Sequence, residues 1–237
     1  MRREHKTGLI LILSLITFLR CSGGEGGSIA GGVSDHGNAV AGIVEAEGSV
    51  SVESTKVSVY EYDAEPVYGR DDTSHVVEYT LTDSSGYYHI SGLEDGKYNI
   101  EVRNRVYSAL LRGVIIDNSV EREINGDAVL ETSGIVRGSL LDDSAKSADR
   151  VFCFIRGTSV ISQTDDQGNF RLELVPPGSY RIELKSHLSS NNSLSNTDIR
   201  SDTLAGSIED VEIQSDSTTV FSDIVVSEAT LQDSDTR

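Results

Sequence analysis

One stretch of 21 residues occurs twice in this chain, and that repetition limits its folding choices more than its composition does. The stretch "TDSSGYYHISGLEDGKYNIEV" occupies Thr82–Val102, and "TDDQGNFRLELVPPGSYRIEL" occupies Thr164–Leu184. The identical positions fall where turns and alternating side chains would need them, so both stretches predict one backbone path. These positions are Thr82/Thr164, Asp83/Asp165, Gly86/Gly168, Gly96/Gly178, Tyr98/Tyr180, Ile100/Ile182 and Glu101/Glu183.

Each copy has the local pattern of strand, turn, strand, turn and strand. Asp83 and Gly86 suit the first and last positions of a type I turn, because aspartate accepts backbone hydrogen bonds and glycine tolerates positive φ. Apolar side chains alternate with polar ones on both sides of that turn. In the third run Tyr98, Ile100 and Val102 are predicted to point inward, with Asn99, Glu101 and Arg103 outward. The second copy repeats every device. Its inward positions are Phe170, Leu172, Tyr180, Ile182 and Leu184.

Weaker similarity extends each copy to roughly 90 residues, with about seven short strands between turn signals, a pattern typical of a β-sandwich. The predicted fold class is therefore all-β, with two tandem antiparallel β-sandwiches behind a signal peptide and a flexible linker. The predicted boundaries are 1–20 for a signal peptide, 21–38 for a glycine-rich tether, 39–131 and 132–228 for the two sandwiches, and 229–237 for a disordered tail.

The repeated motif resembles that of carboxypeptidase regulatory-like domains, which are transthyretin-like sandwiches, and that of B-type adhesin repeats. The resemblance rests on a "TDxxGxFxL" turn followed by "PGxYxI", and the second copy carries the whole motif. This resemblance implies a fold and indicates little about function. Tyr98 and Tyr180 follow a glycine turn, so we expect each hydroxyl to bond to backbone at a sandwich corner. The residues that carry this structural motif are Asp83, Gly86, Gly96, Tyr98, Asp165, Gly168, Pro177, Gly178 and Tyr180.

The N-terminus is typical of an export signal. A basic start precedes Gly8–Leu19, an uncharged apolar run that is too short to cross a bilayer as a helix. The run ends close to Cys21 and a glycine-rich stretch, an arrangement that resembles a bacterial lipoprotein precursor. That resemblance implies lipidation of Cys21, although Arg20 departs from the small residue usual before the cysteine. Ordinary secretion and an uncleaved anchor are the alternatives. The expected location is the bacterial cell envelope, at the outer membrane or cell surface.

Charge and residue chemistry exclude several function classes. A net charge of -18 repels phosphates, so no nucleic-acid partner is expected. Histidine and cysteine spacing predicts no metal site, no motif predicts a cofactor, and no catalytic constellation indicates an enzyme. A calcium site at Asp83, or at Asp165 with Asp166, and a crosslink through Lys56 are weaker alternatives. Cys153 is predicted to be a small buried residue.

A tyrosine-rich region distinguishes the first copy. An insertion, Asp63–His75, is absent from the second copy, and such loops often carry recognition. The predicted ligand contacts are Tyr60, Tyr62, Tyr68, Arg70 and Tyr87, through which a glycan could stack; cross-strand packing of the same rings is the alternative.

The sequence thus supports three hypotheses. The chain is a non-catalytic spacer or adhesion module with an unidentified protein or glycan partner, a weak carbohydrate-binding module, or an accessory subunit of an envelope peptidase or export complex. The membrane is expected to be reached through the N-terminal lipid.

Overall fold

The computed structural model describes residues 39–68, 76–119, 123–186 and 204–228. Within these ranges the chain is all-β and forms two tandem, mainly antiparallel β-sandwiches, which confirms the predicted fold class. Both sandwiches belong to one compact unit, Asp35–Arg237. The predicted signal peptide, tether and tail lie outside the described residues, and so do Cys21 and Arg70. The predicted domain limits stay predictions.

The strands of the first sandwich come from the N-terminal half of the described chain. They are β1 (Ala39–Ala46), β2 (Lys56–Glu61), β3 (Glu78–Leu81), β4 (Tyr87–Ser91), β5 (Gly96–Asn104), β6 (Tyr107–Ile116), β7 (Glu123–Asn125) and β8 (Ala128–Thr132). Hydrogen bonds order them β3-β2-β5-β6-β8-β1-β4, with β7 also paired to β1. The two faces of the sandwich meet where β8 pairs with both β6 and β1.

The second sandwich follows after a single residue. Its strands are β9 (Gly134–Leu141), β10 (Phe152–Phe154), β11 (Ile161–Gln163), β12 (Asn169–Val175), β13 (Gly178–Lys185), β14 (Leu204–Ile213), β15 (Thr218–Val220), β16 (Ile224–Val225) and β17 (Ser227–Glu228). One sheet has the order β11-β10-β13-β14-β17, and the other has β12-β9-β15 with β16 also paired to β9. The sequence pattern predicts about seven strands in each copy, which is fewer than the structure has. The difference arises because the C-terminal part of each copy forms several short strands that cross between the sheets.

The two sandwiches repeat one pairing scheme. β1 pairs antiparallel with β4 and parallel with β7, and β9 pairs in the same way with β12 and β15. The register shifts between Tyr98 and Ile100 where β5 meets β6, and between Tyr180 and Ile182 where β13 meets β14. Because even this irregularity recurs at aligned positions, the repeated sequence does encode a repeated backbone.

Each sandwich has its own core, and most of the predicted inward residues lie in one of them. The buried residues of the first core are Val40, Val44, Val57, Val59, Tyr88, Ile90, Leu93, Tyr98, Ile100, Val102, Ile116, Ala128 and Leu130. Those of the second are Val136, Leu140, Ala148, Val151, Cys153, Ile155, Val160, Phe170, Leu172, Val175, Tyr180, Ile182, Leu184, Val211, Ile213 and Val226. Cys153 is fully buried, as predicted, and burial raises the pKa of its thiol.

The repeated Asp-x-x-Gly turn ties two strands together. Asp165 Oδ1 accepts the backbone N–H groups of Gln167 and Asn169 at 2.9 and 2.8 Å. Gly168 has φ of 77°, and a Cβ there would lie 2.5 Å from the Leu140 carbonyl oxygen. Glycine is therefore required both by the turn and by the close approach of β9. Asp83 and Gly86 repeat this geometry in the first sandwich, where Asp83 accepts from Ser85 and Tyr87.

These hydrogen bonds to the ionised carboxylate, chiefly the one from the Asn169 backbone, hold the pKa of Asp165 below its usual range. A carboxylate whose pKa is lower in the folded state than in the unfolded state stabilises the fold at pH values above its unfolded-state pKa. This stabilisation is lost as the pH falls through the folded-state pKa. We expect Asp165→Ala to destabilise the chain at pH 7, with a deficit that shrinks below about pH 4. Urea denaturation at pH 7 and pH 3 measures this change. Asp166→Ala removes the same charge from the same turn and should show no comparable deficit; equal deficits would contradict the assignment.

The threonine at the start of each repeated stretch is buried and joins two backbone groups by hydrogen bonds. Thr164 Oγ1 donates to the Ala148 carbonyl at 2.8 Å and accepts the Val151 N–H at 2.9 Å. Thr82 Oγ1 likewise donates to the Val52 carbonyl and accepts the Thr55 N–H. The identity of these two positions thus has a structural cause.

Replacing Thr164 with the isosteric valine should cost about 1.5 kcal/mol, because it leaves a buried N–H and a buried carbonyl without partners. Urea denaturation gives the value. Thr218→Val, at an exposed position of β15, is the control and should stay within about 0.5 kcal/mol of the parent. Equal effects of the two substitutions would show that these hydrogen bonds are unimportant.

Both corner tyrosines bond to backbone, as predicted. Tyr98 Oη donates to the Glu94 carbonyl at 3.0 Å, and Tyr180 Oη donates to the Pro177 carbonyl at 3.4 Å. Each ring also lies over the preceding glycine: a Cβ on Gly96 would approach the Tyr98 ring to 3.0 Å. The glycine and the tyrosine therefore form one corner.

Candidate functional site

The outer face of the first sandwich is buried where the sequence predicted exposure. Asn99 and Glu101 alternate with core residues along β5, yet they are only 2% and 1% exposed. Polar side chains are rarely buried this far without partners. The second sandwich covers these residues and supplies one partner to each of them, so the contact between the sandwiches is the most specific polar site among the described residues.

The centre of this contact is a loop of the second sandwich, Arg156–Val160, between β10 and β11. Asn99 Nδ2 donates to the Gly157 carbonyl at 3.1 Å, while Asn99 Oδ1 accepts the Gly113 N–H at 3.0 Å. The Gly157 N–H donates to the Ala64 carbonyl at 2.9 Å. Both backbone groups of Gly157 are thus held by the first sandwich.

Gly157 must be glycine for two separate reasons. Its φ of 62° lies in the left-handed region, and a Cβ would lie 2.5 Å from both the Tyr62 carbonyl oxygen and Asn99 Nδ2. Glycine adopts this φ without penalty and leaves room for backbone to approach. Gly157 therefore sets how closely the two sandwiches can meet.

Glu101 is a buried carboxylate at the edge of the same loop. Arg103 Nη2 donates to its Oε1 at 2.6 Å, and the Ser159 N–H donates to its Oε2 at 3.2 Å. One partner belongs to each sandwich. A buried charge needs such compensation, since an uncompensated carboxylate would be costly to desolvate.

A second polar cluster, which we call the Glu65 cluster, flanks the loop. Glu65 Oε1 accepts from Arg156 Nη2 at 2.9 Å and from Lys185 Nζ. Arg156 Nη1 also donates to the Asp63 carbonyl at 2.9 Å. The Glu65 side chain is 12% exposed, and Arg156 and Lys185 both come from the second sandwich. This partly buried ion pair therefore joins the two sandwiches directly.

The covalent connection between the sandwiches is short, and hydrogen bonds hold it to the first sandwich. Only Ser133 separates β8 from β9. Its N–H donates to the Val106 carbonyl at 2.8 Å, and its hydroxyl lies 2.7 Å from the Ser108 hydroxyl. A one-residue connection with both its amide and its side chain engaged leaves little freedom for a hinge.

A third contact lies on β6. Arg112 Nη1 donates to the Ser179 carbonyl at 2.7 Å, and its guanidinium carbon lies 5.4 Å from the centre of the Tyr180 ring. Leu110 of the first sandwich packs against the second core. The corner tyrosine of the second sandwich thus contacts the first sandwich as well as its own backbone.

The structure places the described ligand-contact candidates in different surroundings. Tyr60 is 1% exposed, so the expectation that it is partly exposed is wrong; it lies on the covered face of β2 beside Asn99. The ammonium of Lys97 lies 3.5 Å from the ring centre of Tyr62. Tyr68 is 46% exposed and contacts Phe152 of the second sandwich edge-on, with the ring centres 5.2 Å apart.

Tyr87 lies elsewhere. It is 43% exposed on β4, opposite Ile43 of β1, across the first core from Tyr60. Arg70 lies outside the described residues. Tyr87 therefore lies apart from Tyr60, and ligand contact by these residues stays a prediction.

The described part of the insertion, 63–68, contacts the second sandwich; its predicted role in recognition stays a prediction. The backbone of Asp63 and Ala64, the carboxylate of Glu65 and the ring of Tyr68 all contact the second sandwich. This part of the loop joins the sandwiches, and the sequence prediction of a recognition loop did not anticipate that contact.

Other chemistry is sparse among the described residues. No group of three or more His, Cys, Asp or Glu side chains could hold a metal ion there. Lys56 lies at the sheet surface, with its ammonium 5.7 Å from the centre of the Tyr79 ring. No helix in the described ranges is long and apolar enough to cross a membrane. A shallow cleft near the β5–β6 turn is lined by Ser49, Val50, Ser51, Glu53, Asn104, Arg105 and Tyr107.

Comparison with known proteins gives only distant similarity. No protein-family model matches the chain, and no curated protein does. The Bacillus anthracis TIE protein is 13% identical with a TM-score of 0.28, over 81% of this chain and 34% of that one. A streptococcal ancillary pilin is 15% identical with a TM-score of 0.29, over 82% of this chain and 63% of that one.

The minor pilin GBS52 of Streptococcus agalactiae is 13% identical with a TM-score of 0.31, over 84% of this chain and 100% of that one. The chain thus spans about a third of the Bacillus protein and under two thirds of the ancillary pilin. TM-scores of this size carry no argument about function.

Proposed function

We propose that the chain is a non-catalytic protein of the bacterial cell envelope, anchored by a lipid on Cys21. Its two sandwiches act as one stiff spacer that holds an adhesive or protein-binding surface away from the membrane. The observation that carries this proposal is the buried polar contact between the sandwiches, centred on Gly157, Asn99 and Glu65. A passive flexible tether would not need a contact in which buried polar groups are matched across both halves.

The charge of the chain fits the same role. A net charge of -18 keeps neighbouring copies apart on a crowded surface and favours an extended layer over collapse. The apolar run before Cys21 and the glycines after it supply, by sequence, the export signal and the tether. Two or three acyl chains would be needed for stable anchoring, since one chain holds only marginally.

Anchoring is tested on the protein expressed with its native N-terminus. Mass spectrometry of the mature N-terminal peptide should find a diacylglycerol-modified Cys21, and Cys21→Ser should move the protein from the membrane to the soluble fraction. Unmodified Cys21 in a membrane-bound protein would indicate an uncleaved anchor. Unmodified Cys21 in a soluble protein would indicate ordinary secretion.

The spacer role is tested on intact cells with an epitope at the C-terminus. Antibody should reach the epitope on the parent chain and reach it less on a chain that lacks 133–228. Equal access to both chains would contradict a spacer. Weak glycan binding and an accessory role in a peptidase or export complex stay predictions of the sequence.

A further inference from the structure

Strand β3 forms an open edge of the first sandwich. Among the described strands only β2 is hydrogen-bonded to it, and it ends the sheet order. The N–H of Tyr79 is taken by the carboxylate of its neighbour Glu78, at 3.0 Å, instead of by β2. That N–H therefore faces the open side. An edge of this kind is a template for another strand.

The same edge carries a row of exposed apolar side chains. Val77, Tyr79 and Leu81 are 43%, 52% and 54% exposed. They alternate along the chain and so share one face. We call this row the apolar edge. It is exposed because Thr80 takes the core side opposite Val57, and no described strand other than β2 is hydrogen-bonded to β3.

We propose that the apolar edge pairs two copies of this chain, β3 against β3, antiparallel about a two-fold axis at Tyr79. In that register Tyr79 faces Tyr79 of the second copy, and Val77 faces Leu81. Glu78 faces Thr80, so no like charges lie opposite one another. An axis at Glu78 would instead place the two carboxylates opposite each other, which destabilises a pair. An axis at Thr80 would pair Tyr79 with Leu81 but would place Val77 opposite Asp83. The axis at Tyr79 therefore gives the register in which all three apolar side chains face apolar ones and no like charges lie opposite one another.

Two opposing effects make this pairing weak and reversible. Each copy carries a net charge of -18, so the copies repel at low ionic strength. The Glu78 carboxylate must also release the Tyr79 N–H before a second strand can accept it. Pairing should therefore tighten with salt, opposite to an association driven by charge attraction, and it should tighten in Glu78→Ala.

Disulfide trapping tests the register in the full chain carrying Cys21→Ser. A cysteine in place of Tyr79 lies on the axis, where opposite Cα atoms are about 5.5 Å apart, within disulfide reach. A cysteine in place of Leu81 lies about 13 Å from its equivalent, beyond reach. Tyr79→Cys should give an oxidised dimer, Leu81→Cys alone should not, and Leu81→Cys mixed with Val77→Cys should.

Sedimentation of the parent chain tests association without any cysteine. We expect a monomer–dimer equilibrium that tightens between low and high salt. Tyr79→Asp should raise the dissociation constant at least about tenfold. Ile115→Asp, which changes another exposed apolar residue of the first sandwich, should not. A monomer at all concentrations in both salts, or equal trapping of Leu81→Cys and Tyr79→Cys, would overturn the proposal.

Discussion

Replacing Gly157 with alanine is expected to separate the two sandwiches while leaving each of them folded. The added Cβ would meet backbone and Asn99 of the first sandwich at 2.5 Å, and φ of 62° is unfavourable for alanine. Together the strained φ and the overlap should cost about 3 kcal/mol. Hydrogen exchange should show faster exchange in β5 and in 155–160, with unchanged protection in β1 and β12.

The chain offers a matched control for this substitution. Gly48 also has positive φ, 74°, but a Cβ there would have nothing within 4 Å. Gly48→Ala therefore carries the cost of backbone strain without the overlap, about 1 kcal/mol. If Gly48→Ala and Gly157→Ala lower the free energy of unfolding equally, or if exchange in β5 does not change, Gly157 does not hold the sandwiches together.

Replacing Glu65 with alanine should cost about 2 kcal/mol, because Arg156 and Lys185 would keep their partly buried charges and lose their shared partner. The loss is smaller than for a fully buried pair since water reaches the two cations. Denaturation by urea measures the free energy of unfolding, and Glu65→Gln should recover part of it through the retained amide oxygen.

An exposed ion pair of the second sandwich is the comparison. Glu173 pairs with Arg171 at 2.6 Å, with side chains 63% and 51% exposed. Pairs of this kind contribute about 0.5 kcal/mol or less. Glu173→Ala should therefore leave the free energy of unfolding nearly unchanged. Added salt should reduce the small effect of Glu173→Ala by a larger fraction than it reduces the effect of Glu65→Ala. If Glu65→Ala left the free energy of unfolding unchanged, the Glu65 cluster would not stabilise the interface.

The sequence predicts what depends on local chemistry. Turns at Asp83 and Asp165 follow from aspartate and glycine at fixed spacing, and the inward positions of β5 and β13 follow from alternation. The corner tyrosines follow from a ring placed just after a glycine. Repetition of these devices was enough to predict two sandwiches.

The sequence does not predict which outer face would be covered. Alternation assigns Asn99 and Glu101 to solvent, and the structure reverses that assignment. Burial of an outer face depends on contacts with a sandwich some 60 residues away along the chain, which local alternation does not encode. The burial of Tyr60 has the same cause, since it lies opposite Asn99, which contacts the second sandwich.

We infer that the two sandwiches form one rigid body through the contacts at Gly157 and Glu65. Spin labels at Ser84 and Gln167, exposed turn positions in the first and second sandwich, report the distance between them by electron paramagnetic resonance in the Cys21→Ser chain. We expect one narrow distance distribution in the parent and a broader one in Gly157→Ala. A parent distribution as broad as that of Gly157→Ala would contradict the claim.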